Sequence, residues 1–247
     1  MTALGFDQLT AISEHSSALA AAAEGHLDLP VPSCPGWTIA DLVAHLTDVQ
    51  WFWATIAEDQ LPAPPTEERR PARAPDLRLV EALRAETEHL LRVLGGAEPA
   101  AHVWTWAAAQ QDVAFITRHQ VQEAAVHHWD AANAIGRPVA IGTPVAVDSI
   151  SEFLTFSVSS DADPIDPPRP ALEGRFALRC TDADAAWTIF DGRSAGTVRF
   201  EHGVRDAPAL EAGASDLLLW LYRRVELPAG DVSSELLERF SALRFTD

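Results

Sequence analysis

In the stretch Glu123-Ala-Ala-Val-His127 a carboxylate and an imidazole stand four residues apart. On a helix such positions share a face one turn apart, so both can address a single point. His45, set among Leu42, Val43, Leu46 and Val49, is the best candidate for a third donor, because two helices of a bundle can direct ligands into a shared core. Two histidines and one glutamate are among the ligand sets of catalytic zinc, and they leave a fourth position open to water or an incoming sulfur. The same residues have plainer readings: a Glu and His pair is common on a solvated helix, and a histidine on an apolar face is more often a satisfied core residue. The zinc-protease signature His-Glu-x-x-His is absent, since Gln122 precedes Glu123, and this disfavours a hydrolytic protease. Asp130 either orients a ligating histidine or lies on the helix surface.

The elements that must hold these residues follow from apolar periodicity and its punctuation. Phe6, Leu9, Ile12 and Leu19 recur at helical spacing between Phe6 and Glu24, which predicts a first helix. Leu29 to Trp37 is interrupted by three prolines; Thr38 and Asp41 then supply an N-cap and an acidic first turn for a second helix over about Ile39 to Glu58. Leu61 to Pro75, with five prolines, two glutamates and three arginines, reads as a solvated connection. A third helix opens at Asp76 and ends at Gly95-Gly96, and a fourth runs from about Gln110 to Ile135 before Gly136-Arg-Pro138. Four helices joined by loops make a bundle.

Beyond about Gly142 the pattern changes. Phe176, Leu178 and Cys180 alternate with Arg175, Ala177, Arg179 and Thr181, and Trp187 to Phe190 leads through Asp191-Gly192 to Thr197 to Phe200, which predicts an antiparallel sheet. Helices are expected around Val147 to Val158, Ser215 to Arg224 and Ser233 to Leu243. The fold class is therefore α+β, with a four-helix domain over 1–141 and a smaller α+β domain over 142–247.

Composition narrows the function. The 247 residues carry 36 acidic against 18 basic side chains, a formal charge of −18, and no lysine. Such a surface repels nucleic acid, and Schiff-base and Walker-lysine chemistry lack their amine. Cys34 and Cys180 are the only cysteines, which excludes a disulfide framework and a four-cysteine zinc site. No signal-peptide pattern and no apolar stretch of about 18 residues appears, so the expectation is a cytoplasmic protein without a membrane partner. Cys34, beside Pro35 and Gly36, reads as a turn and packing element, and Trp37, Trp51, Trp53 and Trp129 as core or cleft walls. His15, His26, His89, His102, His119 and His202 show no spacing that demands a role.

Val31-Pro-Ser-Cys-Pro-Gly-Trp37-Thr-Ile-Ala-Asp-Leu-Val-Ala-His45-Leu and, much later, Glu123-Ala-Ala-Val-His127-His-Trp-Asp130 resemble the N-terminal domain of the mycothiol-dependent maleylpyruvate isomerase family, within the DinB-like four-helix superfamily. The resemblance implies a divalent metal, usually zinc, on His45, Glu123 and His127, and mycothiol as the thiol cofactor or co-substrate. Ala214 to Arg224 is similar to the helix of the family's C-terminal domain, whose terminal arginine faces the active site. Arg224 is the positional match, with Arg223 an alternative because the family more often has Gly-Arg there. Gln122 and His128 depart from the family's commoner histidine and arginine, and both leave the substrate open.

A thiol ionises near pH 8.5, and coordination to a dication both deprotonates it and holds it in place. The reaction implied is addition of a metal-bound thiolate to a small electrophile, as an isomerase of a maleylpyruvate-like cis-enoyl acid or as an S-transferase, with Arg224 pairing a carboxylate or oxyanion of the substrate. Two other readings stay open: a zinc-dependent hydrolase of a small amide or ester, and a non-catalytic small-molecule binding protein. Monomer and homodimer are equally compatible with the sequence.

Overall fold

Asp7 opens the first helix by accepting the Thr10 amide at 2.7 Å, and α1 runs Gln8–Ala23. α2, Ile39–Asp59, starts at a capping box in which Thr38 Oγ1 accepts the Asp41 amide and Asp41 Oδ2 accepts the Thr38 amide at 3.0 Å. α3 is Leu79–Gly96, and α4 is Val113–Ala134 with Asp112 accepting the Phe115 amide at 2.8 Å. In this computed structural model, which describes residues 5–162, 164–165, 169–228 and 230–245, these helices build the first of two compact units, Met1–Ile141 and Gly142–Asp247.

The pairing of side chains fixes the helix directions. Leu42 and Leu46 of α2 share a buried cluster with Leu79 and Leu83 of α3; further along both helices Gln50 meets Thr87 and Glu58 meets Arg92. α2 and α3 are therefore parallel, whereas α4 opposes α2, with His127 beside His45 and His119 beside Trp53. Parallel neighbours cannot be joined by a short turn, which explains the long proline-rich connection. It lies along α2 and is tied at both ends of that helix, Arg69 to Asp59 at 2.5 Å and Arg73 to Asp41 at 2.8 Å. Both pairs are roughly half exposed, so each contributes only about 0.5 kcal/mol. Short 3-10 turns, Glu67–Arg69 and Asp76–Arg78, punctuate this connection, and α3 continues through Gly95-Gly96 before ending.

Leu42, Leu46, Ile56, Leu83, Leu90 and Ile116 are wholly buried between the helices. Each such side chain stabilises the bundle by about 2 kcal/mol. Among them Gln50 Nε2 donates to Ser16 Oγ at 2.9 Å, and the Thr87 hydroxyl lies 2.7 Å from Gln50 Oε1, so the buried amide is satisfied while tying α1, α2 and α3 together. Gly136 closes α4 at φ +72°, a conformation that a Cβ would strain.

The second unit comprises α5 (Thr143–Phe156), β1 (Arg175–Cys180), β2 (Ala186–Asp191), β3 (Val198–His202), β4 (Ala209–Ala212), α6 (Ala214–Leu221) and α7 (Ser234–Ala242). The sheet order is β3-β2-β1-β4. β1, β2 and β3 are antiparallel as their alternation predicts, with Phe176 opposite Ile189 and Ile189 opposite Phe200. β4 corrects the expectation of a purely antiparallel sheet: it joins the free edge of β1 in parallel, Leu210 opposite Leu178. Four residues with Leu210 alone buried carry too little alternation to be read as a strand. Phe240 of α7 meets Phe176 edge-on at 5.1 Å and stacks on Trp220 of α6 at 6.0 Å, so the two helices close one sheet face. α5 begins at Thr143, ahead of the expected Val147, because Pro144 suits a first turn. α6 stops at Leu221 rather than reaching Arg224. Among the described residues no helix is long and apolar enough to cross a membrane.

Candidate metal centre

Capping sets the rotation of both helices that carry the candidate ligands. The Thr38–Asp41 box starts α2 two turns before His45, and the Asp112 cap starts α4 so that Glu123 and His127 turn towards α2. One ligand atom from each of His45, Glu123 and His127 lies within 4.8 Å of the other two. The His45 and His127 rings meet edge-on with centroids 5.0 Å apart, and Trp37 covers His45 at 5.0 Å. Glu123 Oε2 is 3.1 Å from His127 Nε2, so the carboxylate and the ring nitrogen already face the same point.

The opposite edge of His127 is fixed by Asp130. Its Oδ2 lies 3.0 Å from His127 Nδ1, which holds the Nδ1 proton and turns Nε2 towards Glu123. Asp130 is wholly buried, contrary to the surface alternative. Ser33 Oγ donates to its Oδ1 at 2.6 Å, and Cys34 Sγ stands 3.7 Å from its Oδ2. Both come from the proline-interrupted segment, folded by Cys34 N to Val31 O and Trp37 N to Cys34 O bonds, with Gly36 at φ +87°. Cys34 is thus more than the turn element its neighbours suggest: its thiol supports the carboxylate behind His127.

Burial works against a charged Glu123, yet the hydrogen bond and charge of His127, with His119 and His45 beside it, hold the carboxyl at a pKa of about 2. Burial works equally against a charged His127, and the bonds to Asp130 and Glu123 override it, taking the imidazole up to about 9. The metal-free chain therefore holds an imidazolium between two carboxylates.

His119, whose spacing by itself demands no role, precedes Glu123 by one helical turn and so continues the Glu123–His127 ladder. Its Nε2 is 3.9 Å from Glu123 Oε1, and its ring stacks on Phe115 at 5.6 Å with Trp53 and Trp106 at its edges. The i, i+4 count carries a signal for His119; none exists for Ser33, whose partner is 97 residues away. Of the residues that depart from the commoner family pattern, Gln122 is buried in α4, and the half-exposed His128 faces His15.

Residues 9–132 match the family model described as the mycothiol maleylpyruvate isomerase N-terminal domain. The chain belongs to this family. A crystal structure of the mycothiol-dependent maleylpyruvate isomerase superposes with a TM-score of 0.59 at 14% identity, covering 89% of this chain and 91% of that one. At that identity the likeness establishes a shared fold, and it extends across the second unit as well as the DinB-like bundle. No curated protein matches the sequence.

Arg224 belongs to the second unit, beyond the residues that the family model spans. Its amide donates to Leu219 O at 2.8 Å in the turn that ends α6, and its Nη1 donates to Tyr222 O at 2.9 Å. Arg223 takes φ +60°, the left-handed position that glycine fills without strain, and its Nη2 donates to Ser241 O at 2.8 Å.

Proposed function

We propose that this protein is a metal- and mycothiol-dependent enzyme acting on a small electrophilic cis-enoyl acid of the maleylpyruvate type. The observation that carries the reading is the convergence of His45, Glu123 and His127 inside the matched family domain. Two imidazole nitrogens and one carboxylate oxygen suit a zinc ion that keeps a fourth position for an exogenous ligand. Bound there together, the metal and the thiol would supply a sulfur nucleophile at neutral pH.

The chain's own residues divide the remaining work. Glu123, ionised well below neutral pH, needs no proton removed before it ligates. Asp130 keeps the His127 Nδ1 proton and leaves Nε2 for the ligand point, with Ser33 fixing the carboxylate. Trp37 packs its indole against the His45 ring. Arg224 is assigned by resemblance to the substrate's carboxylate or developing oxyanion, which a guanidinium can bind through two parallel bonds.

The test is turnover of maleylpyruvate by the zinc-loaded chain with and without mycothiol, with the thiol counted before and after. Loss of turnover without the thiol and full recovery of the thiol afterwards support an isomerase; thiol consumed in proportion to product supports an S-transferase. Turnover that ignores the thiol would overturn the reading in favour of hydrolysis. Arg224→Met is expected to lower the rate by about a hundredfold or more while zinc content stays constant. Arg223→Gly should leave the rate unchanged and stabilise the fold by about 1 kcal/mol, since glycine takes the left-handed turn without strain.

A further inference from the structure

Glu123 has a histidine one helical turn away on either side, and its two oxygens divide between them. Oε2 stands 3.1 Å from His127 Nε2, and Oε1 stands 3.9 Å from His119 Nε2. His119 lies outside the three residues whose ligand atoms converge, and about 12 Å of helix rise separates it from His127. It is therefore placed to act on the carboxylate rather than on the ion. We propose that His119 is a positioning residue for the metal site: its Nε2–H holds Glu123 Oε1 and so fixes the carboxylate with Oε2 turned to the ligand point. This inference rests on the metal-dependent reading proposed above.

A carboxylate that binds a dication through one oxygen leaves the other in need of a donor, and such outer partners orient the ligand. The 3.9 Å approach is longer than a hydrogen bond, and closing it takes about 1 Å of side-chain movement. Both side chains are largely withdrawn from water, at 11% and 15% exposure, so the attraction is weakly screened. The donating ring is held in place. It stacks on Phe115 at an interplanar angle of 13°, and it meets Trp53 and Trp106 edge-on at 6.0 and 5.5 Å. Trp106 is fixed in turn, because Gln111 Nε2 donates to Thr105 O at 2.6 Å and to Ala107 O at 3.0 Å, gripping the residues on either side of the indole. With aromatic walls around it the imidazole has few rotamers open to it, and the nitrogen that faces Glu123 keeps facing it. Packing alone would be served as well by a phenylalanine. What phenylalanine lacks is the N–H.

The test therefore compares the wild type with His119→Phe, which keeps an aromatic ring in the box, and with His119→Gln, which returns an N–H donor near the position of Nε2. Zinc affinity, measured by chelator competition, is expected to fall by about 10- to 100-fold in His119→Phe and to recover most of that loss in His119→Gln. Equal affinity in the wild type and His119→Phe would overturn the proposal, as would a His119→Gln chain that binds zinc no better than His119→Phe. Should His119→Phe fail to fold, long-range 1H–15N NMR of the zinc-loaded wild type decides: His119 must carry its proton on Nε2, and an unprotonated Nε2 there overturns the assignment. A wild type that takes up no zinc removes the proposed function and this inference together, whereas zinc uptake that His119→Phe leaves intact removes this inference alone.

Discussion

His127 and His128 are consecutive residues of α4, the first buried and the second half-buried, and their imidazoles reach opposite states. His127 is the more deeply buried of the two, yet Asp130 and Glu123 raise its pKa to about 9. His128 faces another imidazole, and burial lowers its pKa; its partner His15 falls to about 4 through burial and the charge of His128. Burial alone would have ranked them the other way round. What decides the charge is the chemistry at the second ring nitrogen: a carboxylate stabilises the cation, and an imidazole does not.

The largest test of this contrast is deletion of each ring. His127→Ala should weaken zinc binding by more than about a hundredfold, since loss of a direct ligand must exceed the 10- to 100-fold effect of a supporting residue. His128→Ala should leave zinc binding unchanged, because its ring points away from the proposed triad. Elemental analysis of both variants after dialysis gives the answer, and equal losses would erase the distinction.

Asp130→Asn removes one of the two carboxylates that make His127 basic. Zinc affinity, measured by chelator competition, should fall by about 10- to 100-fold, and the His127 pKa should move down towards that of His128. An unchanged imidazole titration by NMR would assign the high value to Glu123 alone.

The two histidines also predict opposite limbs in the stability of the metal-free chain. His127, raised from 6.5 to about 9, contributes its stability fully below pH 6.5 and loses it as pH rises through about 9. His15, depressed from 6.5 to about 4, contributes fully above pH 6.5 and loses that contribution as pH falls towards about 4. Urea midpoints of the chelated protein should therefore peak near pH 6.5, with the alkaline limb flattened in His127→Gln and the acid limb in His15→Gln. A wild-type midpoint that does not decline above pH 6.5 contradicts the raised His127 value. The smallest expected effect is that of Ser33→Ala, which removes one hydrogen bond to a buried carboxylate and should cost about 1.5 kcal/mol in chemical denaturation while leaving zinc in place.

The sequence disclosed what local chemistry controls. Glu123 and His127 share a face because a helix repeats every 3.6 residues, and the Thr38–Asp41 box and the Asp112 cap mark where those helices begin. The family motif joined His45 to the pair across 78 residues, a contact that spacing left open. What stayed hidden depends on tertiary approach. Ser33 and Cys34 reach Asp130 only because a turn folds back on α4, and His15 reaches His128 only because α1 and α4 pack. The parallel β4 was too short to show a period, and the left-handed Arg223 ended α6 where its side chain gave no sign of a break.

The exposed crossover between α2 and α3 offers a consequence of another kind. It is anchored by Arg69 and Arg73 to the two ends of one helix and contributes no ligand to the triad. Each doubling of such a loop adds only about 0.6 kcal/mol of closure entropy. A fluorescent or affinity tag inserted between Ala63 and Thr66 would therefore travel on the outside of the bundle, giving a handle for immobilisation or single-molecule work with the ligand-bearing faces of α2 and α4 intact.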